Sequence, residues 1–310
     1  MIFDEATLQK IAEAMERGDL GYLRALTRKK PPRRRPLGRV HTALMVSGIN
    51  PRHLNRLDEL SADIAIINLE DGVAPEKKEI ALAAARLFLS HLPGDAPVYA
   101  VVRVNPLDER GRAEIEALRD VGPDAVRIPK VRSQSEIDEA KALAGDGIKI
   151  HISVETPEAH QDLARFGGVE ACYLGILDLF AALSIPQKIL KIANPTVDHI
   201  LAKFLIDART IGALPVSFVY QDYKNLEEFR DWCRYERSMG YSAKGCISPD
   251  QVEAARAIFA PSKAEIERAR YIKERFEEMA AKGITGFADE RYGFIDEPIY
   301  KDALQILKDQ

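Results

Sequence analysis

Between residues 41 and 248 the chain carries eight short apolar runs, each trailed by a stretch with helical spacing, and this rhythm restricts the fold more tightly than any other feature. The runs are HTALMVSG from His41, ADIAIINLED from Ala62, PVYAVVRVN from Pro97, AVRIPKV from Ala125, IKIHISVETP from Ile148, ACYLGILDL from Ala171, LPVSFVYQD from Leu214 and AKGCIS from Ala243. Such runs suit strands covered on both faces, the condition of a parallel sheet whose crossovers are helices. Segments such as PEKKEIALAAARLFL and SQSEIDEAKALA supply those crossovers. Eight repeats favour a closed ring over an open sheet, so the expected fold is α/β, a (β/α)8 TIM barrel.

The flanks differ in kind. Residues 1–27 place Ile2, Leu8, Ile11, Met15, Leu20 and Leu23 at helical intervals, and RKKPPRRRP then rules out a continuing helix and reads as a solvated basic tether. After Ser248 come SPDQVEAARAIF and PSKAEIERARYIKERFEEMAAKG, with Ser248 and Ser262 placed to cap helices, and then FADERYGFIDEP. The expected organisation is an N-terminal helical arm and basic linker over residues 1–38, a catalytic barrel over 39–258 and a C-terminal helical extension over 259–310. At 310 residues and 46% hydrophobic, the chain has material for one large core.

Composition removes several functional classes. A net charge of -4 gives no global basic field for nucleic acid or an anionic membrane. Neither the charged N-terminus nor any later run resembles a leader or a membrane span, and Cys172, Cys233 and Cys246 are too scattered for a zinc or disulfide pattern, so a soluble, cytoplasmic protein is expected. There is no G-x-x-x-x-G-K-[ST], no G-x-G-x-x-G after a strand and no G-x-S-x-G, which weighs against nucleotide-dependent kinases, dehydrogenases and serine hydrolases. The six histidines form no tight ligand motif and read as structural or exposed.

In barrels of this kind the chemistry sits at the C-terminal strand ends. Polar residues gather at those ends here: Glu70 and Asp71 after strand two, Arg103 and Asn105 at strand three, Lys130 at strand four, Glu155 at strand five, Asp178 at strand six and Asp222 at strand seven. Glu155 and Asp178, ending adjacent strands, are expected to hold a magnesium ion, a hard cation that takes oxygen ligands and keeps waters for substrate to replace.

The motifs LMVSGINPRHL, ADIAIINLEDGVAPEKK, VVRVNPLD, VRIPKV, ISVETPEA, YLGILDLFAALS and GYSAKGCISPDQV, in that order, resemble the citrate lyase beta subunit-like proteins of the HpcH/HpaI aldolase and citrate lyase family. The resemblance runs from about residue 40 to about residue 300. It implies magnesium on Glu155 and Asp178, substrate contact by Arg103, and ordering of the metal's water shell by Glu70 and Asp71. Lys130 is implied either to touch substrate or to form a structural salt bridge. It further implies that Asp296, in IDEP, works as acid/base in a neighbouring subunit of a homo-oligomer, often a trimer; an ordinary turn aspartate is the other reading. Ser47, Asn68, Leu177 and Ser248 depart from the family's common proline, aspartate, glutamate and histidine, which bears on substrate identity and leaves both expected metal ligands in place.

The expected reaction is cleavage or formation of a 3-hydroxy-carboxyacyl thioester such as citryl-CoA, giving an acetyl thioester and an oxo acid such as oxaloacetate. Its demands are a base and a fixed positive field. The alternatives are a malyl- or methylmalyl-CoA lyase, an aldolase of a free oxo acid, or a non-catalytic scaffold or carrier-binding subunit. The thioester carrier, coenzyme A or a carrier protein, stays open.

Overall fold

The structure is a computed structural model and describes residues 1–308. Eight parallel strands close into a barrel: β1 (Thr42–Ser47), β2 (Ile64–Asn68), β3 (Tyr99–Arg103), β4 (Ala125–Ile128), β5 (Lys149–Val154), β6 (Ala171–Leu174), β7 (Leu214–Ser217) and β8 (Ala243–Cys246). Each pairs with its successor, and β8 closes on β1 through Thr42↔Lys244, Ala43↔Gly245 and Leu44↔Cys246. The eight-stranded α/β barrel expected from the repeats is the fold observed.

Along each strand alternate side chains point into the lumen. The lower lumen is apolar and filled by Ala43, Ile64, Ile66, Val101, Ala125, Ala171, Val216 and Ala243, with Tyr99 and Tyr173 bringing hydroxyls among them. One layer higher the inward positions turn polar: Asn68 stands beside Arg103, Arg103 beside Arg127 and Arg127 beside His151 across the ladder. A dry, packed base thus carries a charged mouth.

Two details correct the sequence expectations. The run ACYLGILDL does not continue as strand to Asp178; β6 ends at Leu174, Gly175 turns the chain, and Asp178 sits in the first turn of the helix Ile176–Ala182. Apolar spacing alone does not separate a short strand from a short buried helix, and the glycine is what divides them. The basic run is also no solvated tether. The Arg33 side chain is buried, donates to the Val98 carbonyl at 2.8 Å and pairs with the buried Asp124. Arg35 reaches the Ala96 carbonyl at 3.0 Å, and Lys30 the Leu89 carbonyl at 3.2 Å.

The arm is formed by helices Glu5–Arg17 and Leu20–Leu26. Asp4 caps the first through Thr7 N at 2.9 Å, and Gly18, at φ 74°, ends it in the left-handed conformation that a residue without Cβ adopts most readily. Its apolar face, Leu8, Ile11 and Met15, is buried with Leu23 of the second helix, and Phe3 meets the Phe88 ring edge-on at 5.4 Å.

The chain divides into two compact units, Met1–Arg256 and Ala257–Gln310. In the second, the helix Lys263–Ala280 opens on a reciprocal cap between Ser262 and Glu265, and a hairpin (Gly286–Asp289, Gly293–Asp296) leads into the helix Glu297–Lys308. Its own small core contains Ile272, Phe276, Phe287, Ile295 and Ala303. Among the described residues no helix is long and apolar enough to cross a membrane.

Candidate active site

The polar layer opens into a cavity of about 310 Å³ at the C-terminal strand ends, whose wall includes Asn68, Asp71, Arg103, Arg127, Glu155, Gly175, Asp178 and Gln221. Glu155, Asp178, Arg103 and Asp71, expected from the sequence to act together, all face it.

Arg103 is its electrostatic centre. Projecting from the end of β3 and 8% exposed in its side chain, it pairs with Glu70, with Asp71 at 3.1 Å and with Glu155 at 3.8 Å. A guanidinium held by carboxylates from two other strand ends has little rotamer freedom left to lose on binding. Glu70 is buried behind Arg103 and outside the cavity wall; Lys130 Nζ stands 3.0 Å from its other oxygen. Burial pushes the Glu70 carboxyl up, and the Arg103 charge opposes that shift. Burial acts on Asp71 in the same sense, but its hydrogen bond to Glu70 and the positive charges of Arg103 and Lys130 outweigh it and hold the carboxyl below its usual value. At neutral pH Asp71 is therefore the ionised, solvent-facing acceptor of the pair.

Glu155 leaves β5 3% exposed, and its Oε1 accepts the Lys130 backbone N–H at 2.8 Å. That bond fixes Lys130 at φ 52°, an uncommon conformation for a residue with a side chain. On the other side a Cβ on Gly175 would stand 2.5 Å from Glu155 Oε2, so only glycine lets the β6 turn lie against this carboxylate. The same turn leads into the helix carrying Asp178, exposed and on the cavity wall. Among the described residues no group of three or more His, Cys, Asp or Glu side chains gathers for metal binding. A pair of carboxylates with neither imidazole nor thiolate fits a magnesium ion that retains waters and does not fit a structural zinc.

Lys130, expected either to touch substrate or to form a salt bridge, pairs with Glu70 and is off the cavity wall, and three further expected residues stand elsewhere. Asn105 was expected to touch substrate, but its amide is consumed within the fold. Its Nδ2 donates to Glu114 Oε1 at 2.6 Å and to the Leu69 carbonyl at 3.1 Å, and its Oδ1 accepts from Lys78 at 2.6 Å. Asp222 is exposed in the loop after β7, and its neighbour Gln221 takes the place on the cavity wall. Asp296 lies in the C-terminal unit, where its Oδ1 accepts Ile299 N at 3.2 Å as a cap of the last helix.

The sequence reading missed Arg127 and Gln221, and it marked Asn68 only as a departure from the family pattern. For Arg127 a signal existed: an arginine inside the four-residue strand AVRI must point either to the helix layer or into the lumen, and two places before Pro129 the lumen is near its polar mouth.

A closed parallel barrel whose C-terminal mouth gathers carboxylates and a braced arginine has the arrangement of a barrel enzyme. The chain belongs to the HpcH/HpaI aldolase/citrate lyase family, whose model matches residues 41–249. It is 32% identical over 246 residues to a (3S)-malyl-CoA thioesterase of Cereibacter sphaeroides, covering 78% of this chain and 85% of that protein. It is 27% identical to citrate lyase subunit beta of Haemophilus influenzae, covering 86% and 94%. Its fold matches the protein CitE of Mycobacterium tuberculosis in complex with magnesium, acetoacetate and coenzyme A, with a TM-score of 0.67 at 24% identity over 88% of this chain and 98% of that one. The protein is thus an enzyme of the lyase superfamily to which these relatives belong.

Proposed function

We propose that the protein is a magnesium-dependent carbon–carbon lyase that cleaves or forms a 3-hydroxy-carboxyacyl thioester such as citryl-CoA, with an acetyl thioester and an oxo acid such as oxaloacetate on the other side of the equation. The observation that carries this reading is the convergence of Glu155, Asp178 and Arg103 on one cavity. Glu155 and Asp178 would hold the ion, which supplies Lewis-acid charge to the oxygens of the oxo-acid portion. Arg103, braced by Glu70 and Asp71, presents a fixed positive charge to the thioester oxygen, where negative charge grows as the carbon–carbon bond breaks. Asp71, ionised and facing the cavity, is placed to accept the hydroxyl proton through water; Asp296 from a neighbouring copy in a homo-oligomer is the other candidate.

Identity to a protein named (3S)-malyl-CoA thioesterase supports a second reading, hydrolysis of a malyl thioester. Incubating the purified protein with magnesium and either citryl-CoA or malyl-CoA separates the two. A lyase releases an acetyl thioester and an oxo acid, whereas a thioesterase releases free coenzyme A and the intact hydroxy acid. Asp178→Ala and Arg103→Ala variants are expected to stay folded and lose about a hundredfold or more in turnover. A folded Asp178→Ala protein with near-full activity would end this scheme.

A further inference from the structure

Arg127 is a charge the proposed chemistry does not use. It lies on β4 beside Arg103 in the ladder, is 6% exposed and lines the cavity. Its Nε donates to Ser153 Oγ at 2.9 Å, and its guanidinium lies over the Tyr173 ring, 4.2 Å from the ring centre. Tyr173 is held in turn, its hydroxyl 3.1 Å from His151 Nδ1, and His151 Nε2 stands 3.1 Å from Glu170. The side chain is therefore fixed from below and from the side.

What it lacks is an ion-pair partner of its own, the Glu155 and Glu70 charges reaching it only from farther off. Arg103 next to it is answered by Glu70, Asp71 and Glu155, but among the described residues no carboxylate stands at ion-pair distance from Arg127. Burial, and after it the positive charge of Arg103, draws its pKa down to about 10, which leaves it protonated at neutral pH. A buried, charged and rigid guanidinium that is held by a hydroxyl and a ring face but meets no carboxylate at ion-pair distance, and that faces a cavity, is suited to an anion from outside. Its planar fork matches a carboxylate.

We propose that Arg127 binds a second carboxylate on the oxo-acid portion of the substrate, so that the site selects an oxo diacid over an oxo monoacid. This rests on the reading above that the cavity takes an oxo acid beside magnesium. One carboxylate and the oxo group would face the Glu155 and Asp178 side, and the distal carboxylate would meet Arg127. Ser153 and Tyr173 position the guanidinium and touch no substrate.

The test is calorimetric titration of the full-length protein, in magnesium, with oxaloacetate and with pyruvate, which lacks the distal carboxylate. The native protein is expected to bind oxaloacetate about 10- to 100-fold more tightly, the range of a charge-assisted hydrogen bond. Arg127→Met is expected to weaken oxaloacetate by that factor and leave pyruvate unchanged, and Arg127→Lys to retain part of the preference. Equal affinity of the native protein for both acids, or equal weakening of both by Arg127→Met, overturns the assignment while the functional reading stands. Binding of neither acid by the native protein overturns the functional reading and this inference together. Equal native affinities overturn the assignment even where Arg127→Met fails to fold, and there a full native preference kept by Arg127→Lys would overturn it too.

Discussion

Glycine at position 175 decides whether Glu155 can occupy its place. The backbone there has φ -93°, which any residue adopts, so the constraint is space alone. A methyl group would lie 2.5 Å from Glu155 Oε2 and 2.6 Å from its Cβ. Gly175→Ala is thus expected to displace the carboxylate and weaken magnesium binding by about 10- to 100-fold, as changes to the groups supporting a metal ligand do. Titration with magnesium monitored by calorimetry checks this, and unchanged affinity in a folded variant would show that Glu155 is not a ligand. At this scale the sequence was informative at Arg103 and Glu155, charged residues that end apolar runs and line the cavity. It was silent where the decisive fact is a contact across the ring. Asn105 looked free until Glu114 and Lys78 folded against it.

At the scale of elements, the eight strands were legible because burial on both faces demands unbroken apolar runs, a local property of the chain. The segment 28–35 was not, because what captures it is remote in sequence: Asp124 lies 91 residues beyond Arg33, and the Ala96 and Val98 carbonyls 63 and 65. A basic proline-rich run is usually solvated, and here carbonyls left open beneath the barrel, together with one buried carboxylate, take it up. Asp124 is 1% exposed in its side chain and Arg33 4%, so removing the cation strands a buried charge. Arg35 Nε at 3.6 Å and the Ala100 N–H at 2.7 Å remain to soften the loss. Arg33→Ala is expected to cost about 3 kcal/mol of stability in chemical denaturation. A loss under about 0.5 kcal/mol, the size of a surface change, would return the segment to the status of a tether.

At the scale of the whole molecule, Asp296 of the second unit, Ala257–Gln310, is the residue through which copies of the chain could cooperate. Asp296 has a local task, receiving Ile299 N at the start of the last helix, and losing such a cap costs about 1 kcal/mol without touching chemistry. If it also serves a neighbouring copy as acid/base, Asp296→Ala must abolish turnover in a protein that stays folded, and the loss must be repairable in trans. Asp178, on the barrel's cavity wall and proposed above to hold the ion, provides the complementary defect. Mixed oligomers of Asp178→Ala and Asp296→Ala chains, each inactive alone, then contain sites that draw an intact Asp178 from one copy and an intact Asp296 from another. With random exchange in a cyclic assembly such sites make up about a quarter of the total. Recovery of roughly that fraction of native activity after co-refolding is the expected result, since closed rings pair each copy with one neighbour in a single sense. No recovery, with native-like activity in Asp296→Ala alone, would confine Asp296 to its cap and leave Asp71 as the proton acceptor within each barrel.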